Sequence, residues 1–171
     1  MKLTVQQEQV LSQVKDFLKS DAAIFILRGY AGTGKTTLIQ HIVAAVNTKI
    51  ILMAPTGRAA QVLSSKTGQE AATIHRTIYE ATRLSFKEEQ DLAASDIKLS
   101  FSVCNIKTQV VAIVDEASML TSRTIKQELI EFGTGNLMND LLTFVRPSFG
   151  GKLICVGDPA QLPPVGELES N

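Results

Sequence analysis

The sequence predicts an α/β fold, a parallel sheet flanked by helices, and three observations carry that expectation. Short apolar runs of strand length stand at residues 22–27, 50–54, 110–114 and 153–156. Stretches with apolar residues at helical spacing separate them. The first run ends in a glycine-rich segment that leads directly into one of those helical patterns.

Residues 4–19 form an amphipathic pattern with Val10, Leu11, Val14, Phe17 and Leu18 on one face. Thr4, followed three residues later by Gln7, fits a capping box at its start. The first strand, about 22–28, runs into Gly29-Tyr30-Ala31-Gly32-Thr33-Gly34-Lys35-Thr36-Thr37, which has the pattern G-x-x-x-x-G-K-[ST]. Glycines there let the backbone curl so that successive N–H groups point at phosphate oxygens. This assigns Gly29, Ala31, Gly32, Thr33, Gly34, Lys35, Thr36 and Thr37 to a nucleotide phosphate loop. Lys35 can reach the β- and γ-phosphates, and the Thr36 hydroxyl can hold Mg²⁺. The following helix, about 35–46, buries Leu38, Ile39, Ile42, Val43 and Val46 and aims its positive end at the same anion. ATP and Mg²⁺ are the expected cofactors. Gln7 then has a second reading beside the cap, as a hydrogen-bond partner of the adenine edge.

Ile50 to Ala54 form a second strand, ended by Pro55, and 57–65 a helix. Thr56 stands at the strand's C-terminal edge, where open α/β sheets place ligands. Thr56, Arg58, Thr73 and His75 are small polar or basic groups beside strand ends, with helix capping and solvent exposure as the competing reading. Residues 80–109 read as an insertion, with a charged tip at Lys87–Asp91 and a small hairpin pairing Leu84–Phe86 with Leu99–Val103.

Val110 to Val114 form a continuous apolar run, expected of a central parallel strand. It ends in Asp115 and Glu116, and two acids directly after a buried strand call for a partner, because unpaired buried carboxylates are costly. A Mg²⁺-nucleotide supplies one: Asp115 holds the metal and Glu116 polarises the attacking water as general base. Helices are expected over 122–132 and 136–145, joined at Gly133-Thr134-Gly135. The fourth strand, 153–156, delivers the Pro/Gly-rich loop 157–166, where Gln161 can touch a γ-phosphate or its water.

Composition narrows the class. The chain has 171 residues, 44% apolar and 20% charged, with zero formal net charge, so any nucleic-acid contact must come from a local groove. Cys104 and Cys155 lack metal or disulfide spacing and fit reduced, buried thiols. No signal peptide or membrane-length apolar run is present in the sequence, so a soluble, cytoplasmic protein without a membrane partner is expected.

Taken together, these segments resemble superfamily 1 DNA helicases of the RecD and phage Dda type, which move 5′ to 3′ on single strands. Leu3-Thr4-x-x-Gln7 resembles their adenine-contacting motif, Gly29–Thr37 motif I, and Ala54–Ala60 motif Ia. Val114–Met119 is similar to motif II and Gly157–Gly166 to motif III, the most discriminating piece. The resemblance implies a RecA-like P-loop NTPase domain over 1–171, its fourth strand between the first and third and its second further out. It implies that Lys35, Glu116 and Gln161 act on ATP, that Thr36 and Asp115 hold Mg²⁺, and that Thr56, Arg58, Thr73 and His75 face single-stranded DNA. Other recombination or replication subunits are conceivable partners. A second RecA-like domain with its arginine finger is not found in the sequence. The expectation is therefore a chain truncated before the second motor domain, which binds Mg-ATP, hydrolyses it poorly and does not unwind DNA alone.

Overall fold

The computed structural model describes residues 3–86, 97–106, 108–120, 130–145, 150–158 and 160. Its main sheet is five-stranded and parallel in the order β1-β8-β6-β2-β3, from strands Ile24–Arg28 (β1), Lys49–Ala54 (β2), Ala71–Thr73 (β3), Val110–Val114 (β6) and Lys152–Gly157 (β8). The fourth predicted strand, β8, does lie between the first, β1, and the third, β6, and β2 lies beyond β6.

Helices cover both faces because the central strands are apolar on both. Along β6, Val111 and Ile113 join a core with Val14 and Phe17 of α1 (Val5–Lys19), Ile39 and Ile42 of α2 (Lys35–Ala45) and Leu63 of α3 (Gly57–Thr67). The alternate residues Ala112 and Val114 join a second core with Ile74 and Ile78 of α4 (Ile74–Ile78) and Leu141 and Phe144 of α5 (Leu137–Val145). This two-residue alternation across one strand is what a three-layer α/β/α sandwich requires.

β1 departs from the expected buried strand. Among the described residues it is one edge of the sheet, and Ile24 and Ile26 are 41% and 61% exposed while Leu27 is buried. An apolar run marks a strand, but it does not say whether both faces are covered.

The region after α4 builds a second sheet. Strands Tyr79–Phe86 (β4) and Ile97–Val103 (β5) are antiparallel, with Leu84 opposite Leu99 and Phe86 opposite Ile97. A third strand, Ile130–Phe132 (β7), runs parallel to β5. Here the sequence expectation is corrected: 122–132 does not end as a helix, because Ile130, Glu131 and Phe132 pair with Leu99, Ser100 and Phe101. Phe132 stacks on Phe101 at 4.8 Å and meets Tyr79 at 5.1 Å, cross-strand aromatic packing that favours a strand. Residues 121–129 lie outside the described residues. Two short elements, β3 and α4, were not anticipated by the apolar pattern.

Beneath this second sheet lies a fully buried acid. Asp140 accepts from Tyr79 Oη at 2.6 Å, from the Thr134 N–H at 3.1 Å and from Thr134 Oγ1 at 2.8 Å. The turn at Gly133 makes room for it: with φ +48°, a Cβ at Gly133 would come 2.3 Å from the Asp140 carboxylate. Cys155 is buried on β8, and burial pushes its thiol up to about 11.

Candidate active site

The C-terminal ends of β1, β8 and β6 carry the expected nucleotide groups. After β1 the loop turns through Gly32 and Gly34, at φ +78° and +81°, and Gly34 caps α2. Both conformations favour glycine, and at Gly34 a Cβ would also lie 2.6 Å from Gln7 Nε2. The loop is tied to β8 by the Gly29 N–H, which donates to Gly157 O at 3.1 Å. The Thr33 N–H and Oγ1 both donate to Tyr30 O. Ala31 and Gly32 form the exposed tip, while Thr36 and Thr37 lie half-buried in the first turn of α2.

Lys35 reaches back across this loop, donating from Nζ to Gly29 O at 2.6 Å and Tyr30 O at 2.9 Å. Burial pushes the Asp115 carboxyl above its usual range, against the pull of the Glu116 N–H and the Lys35 and Lys66 ammonium groups. The loop after β1 and the end of β6 lie on either side of the end of β8, which places Lys35 and Asp115 at the same edge of the sheet. Asp115 Oδ1 accepts the Glu116 N–H at 3.0 Å, and Asp115's own N–H donates to Met53 O. Glu116 has φ +54°, the one non-glycine residue at positive φ among the described residues. Such a backbone is costly and is retained where the local geometry serves a purpose.

Gln7 takes the capping role that the sequence offered for it. Its Oε1 accepts the Thr4 N–H at 3.0 Å and its N–H donates to Thr4 Oγ1, completing the capping box. Its Nε2 also donates to Thr33 O at 3.1 Å, so the cap of α1 braces the phosphate loop. A cleft of about 380 Å³ opens there, bounded by Gln6, Gln7, Val10, Arg28, Tyr30 and Lys35.

The other half of the same sheet edge holds the remaining candidates. Ala54 pairs with Thr73, so β2 and β3 end side by side. Thr56 and Thr73 are the N-caps of α3 and α4, accepting from the Ala59 and Arg76 N–H groups at 3.2 and 3.3 Å. Arg58 is exposed on the first turn of α3. The His75 ring packs against Phe132 at 5.2 Å and Tyr79 at 5.6 Å, and burial lowers its pKa, favouring the neutral ring. A groove of about 460 Å³ runs between α3 and α4, with Gln61, Ser64, Thr73 and Arg76 on its walls. The nucleotide candidates thus gather at β1-β8-β6 and the polar candidates at β2-β3. Gln161 lies outside the described residues.

Arg76, a basic group of the same Thr73–Arg76 segment as His75, lines the groove. One residue near these sites carried no separate sequence signal. Asp158, 3% exposed, has Oδ2 3.8 Å from Lys35 Nζ. It stood inside the G-D-P segment, but charge alone does not tell a buried acid from a turn acid.

A hydroxyl and a carboxylate are hard oxygen donors of the kind Mg²⁺ takes, and Thr36 and Asp115 supply them. No cluster of three or more His, Cys, Asp or Glu side chains occurs among the described residues, so a metal here would share its ligands with phosphate and water. No helix among the described residues is long and apolar enough to cross a membrane.

A family model described as an AAA domain matches residues 2–169. The chain is 34% identical to an uncharacterized protein of Methanocaldococcus jannaschii over 172 residues, covering 96% of this chain and 13% of that protein. It is 33% identical to the ATP-dependent DNA helicase dda of Enterobacteria phage T4 over 128 residues, 72% of this chain and 28% of the helicase. It is 30% identical to the ATP-dependent RecD2 DNA helicase of Deinococcus radiodurans over 166 residues, 95% of this chain and 18% of the helicase. The chain therefore spans less than a third of the length of these relatives. Among solved structures, Bacteroides sp Pif1 in complex with ADP-AlF4 superposes with a TM-score of 0.58 at 19% identity, over 99% of this chain and 35% of that one. The chain belongs to the AAA domain family, and its fold is that of the RecA-like N-terminal motor domain of superfamily 1 helicases.

Proposed function

We propose that this chain is the ATP-binding motor domain of an ATP-dependent 5′-to-3′ DNA helicase, acting in the cytoplasm with single-stranded DNA as its partner. The observation that carries the reading is that Lys35, in the loop after β1, and Asp115, at the end of β6 and 80 residues further along the chain, flank the end of the one strand, β8, that lies between β1 and β6. In this reading the loop N–H groups of 29–37 and Lys35 bind the phosphates, and Gln7 holds the loop from the side of the base. Thr36 and Asp115 hold Mg²⁺, which supplies neutralisation of phosphate charge. Glu116 orients the attacking water and accepts its proton, and Gln161 contacts the γ-phosphate.

Thr56, Arg58, Thr73 and His75 form the single-strand surface on the β2-β3 half of the same edge. A nucleotide-driven shift of the β8 end relative to β6 would then be felt by DNA through elements of one sheet. The relatives named as DNA helicases favour this over an NTPase switch that ignores nucleic acid.

The test is binding of a fluorescently labelled single-stranded oligonucleotide, read by anisotropy with Mg-ATP, with Mg-ADP and without nucleotide. A DNA affinity that differs between the nucleotide states is expected. DNA binding that is absent or identical in all three would point to an NTPase that does not act on DNA.

A further inference from the structure

Asp158 has no role in the scheme above, yet among the described residues it is the most buried charged group beside the phosphate loop. Its Oδ1 accepts the Ala160 N–H at 2.9 Å, and its Oδ2 lies 3.8 Å from Lys35 Nζ. Its position is set by its neighbours. The preceding residue, Gly157, accepts the Gly29 N–H at 3.1 Å, and a Cβ there would stand 3.1 Å from the Ser118 N. The end of β8 is therefore wedged between the phosphate loop and the turn that follows Asp115 and Glu116.

Lys35 carries three N–H donors and no acceptor. Two carbonyls, Gly29 O and Tyr30 O, receive it, and Asp158 supplies the nearest opposite charge. A phosphate group arriving at the loop needs the same ammonium. It would also bring negative charge close to a buried carboxylate, where like charges repel more strongly than in water. A buried acid so placed suits a lysine and opposes a phosphate.

We propose that Asp158 is the resting counter-ion of Lys35, giving the lysine up to phosphate when nucleotide binds, and that it is a positioning residue which holds nucleotide affinity down. The inference rests on the nucleotide site proposed above. It adds that the end of β8 feels nucleotide arrival through the loss of this ion pair.

The test is calorimetric titration of ADP into the wild-type chain and an Asp158→Asn variant. Asparagine retains an oxygen for the Ala160 N–H and removes only the charge. Binding about three- to tenfold tighter in Asp158→Asn is expected, the range for losing one partly buried charge interaction. Equal or weaker binding in the variant overturns the proposal, weaker binding meaning that Asp158 helps hold the nucleotide. Absence of ADP binding by the folded wild-type chain would instead sink the nucleotide reading on which it rests. Should Asp158→Asn not fold, the side-chain carboxyl carbon resonance of Asp158 in the wild-type chain decides. A shift on adding pyrophosphate supports the proposal, whereas a resonance unmoved at saturating pyrophosphate overturns it.

Discussion

Gln7 Nε2 donates to the Thr33 carbonyl at 3.1 Å, so the first turn of α1 is bonded to the phosphate loop across 26 residues of sequence. The same amide accepts the Thr4 N–H through Oε1. The two jobs fall on different atoms and can be separated. Gln7→Glu keeps the acceptor and loses the donor, so thermal stability should stay within about 0.5 kcal/mol while ADP binding weakens. Gln7→Ala loses both and should cost about 1 kcal/mol of stability as well. Denaturant melts and ADP titrations of the two variants check this; equal ADP affinity in wild type and Gln7→Glu would remove the brace from the account.

Asp115 gives a pH dependence whose sign can be worked out. Burial raises its pKa in the folded chain above the unfolded value, so between the two the folded state holds more protons. Stability then falls as pH rises through that window, because the charged carboxylate is held in a poorly solvated place. Asp115→Asn should raise the melting temperature of the nucleotide-free chain at pH 7, and the gain should shrink towards pH 4. Mg²⁺-dependent ATP affinity should be lost in the same variant. A melting temperature lowered at pH 7 would show that Asp115 stabilises the fold rather than straining it.

Glu116 at φ +54° invites a similar trade between stability and activity. Glu116→Gly removes the side chain that resists this backbone and should stabilise the chain by about 1 kcal/mol. ATP turnover should fall to background because the proposed base is gone. Calorimetric melts and a phosphate-release assay read both at once; undiminished turnover would exclude Glu116 as the base.

The buried Asp140 network makes a purely structural prediction. Asp140→Ala leaves Tyr79 Oη and the Thr134 donors without their acceptor, at a cost of about 3 kcal/mol. Adding Tyr79→Phe should recover part of that loss, since one stranded hydroxyl is removed with its partner. Strictly additive losses in urea melts would mean that Tyr79 and Asp140 are not coupled.

On the proposed DNA side, Thr56 and Arg58 separate capping from contact. Arg58 is exposed, so Arg58→Ala should leave stability within about 0.5 kcal/mol and weaken single-strand binding, with the salt slope reduced by about 0.7. Thr56→Ala should also destabilise by about 1 kcal/mol, because Thr56 Oγ1 caps α3. Fluorescence anisotropy at several salt concentrations measures the first effect; an unchanged slope would take Arg58 off the DNA surface.

Much of the architecture was legible because the parallel strands are short apolar runs and the loop is a strict pattern. The strand order needed the resemblance, since apolar runs do not record which neighbour each strand pairs with. β3 and α4 leave no periodic signature because three and five residues are too few to show one. Local spacing predicts a helix where β7 forms, because Ile130–Phe132 is held by Phe101 and Leu99 from a distant strand, which that spacing cannot express. Asp158 illustrates the same limit in the site. Its contact with Lys35 depends on β8 sitting beside β1, and nothing within a few residues of it says so.

The central claim is that Lys35 and Asp115 serve one triphosphate. Calorimetric titration of ATP, with and without Mg²⁺, into wild type, Lys35→Ala and Asp115→Asn tests it most directly. Saturable Mg-ATP binding by wild type is expected, weakened at least about tenfold in Lys35→Ala, with loss of the Mg²⁺ effect in Asp115→Asn. Folded variants that bind Mg-ATP as wild type does, with the Mg²⁺ effect intact, would contradict it.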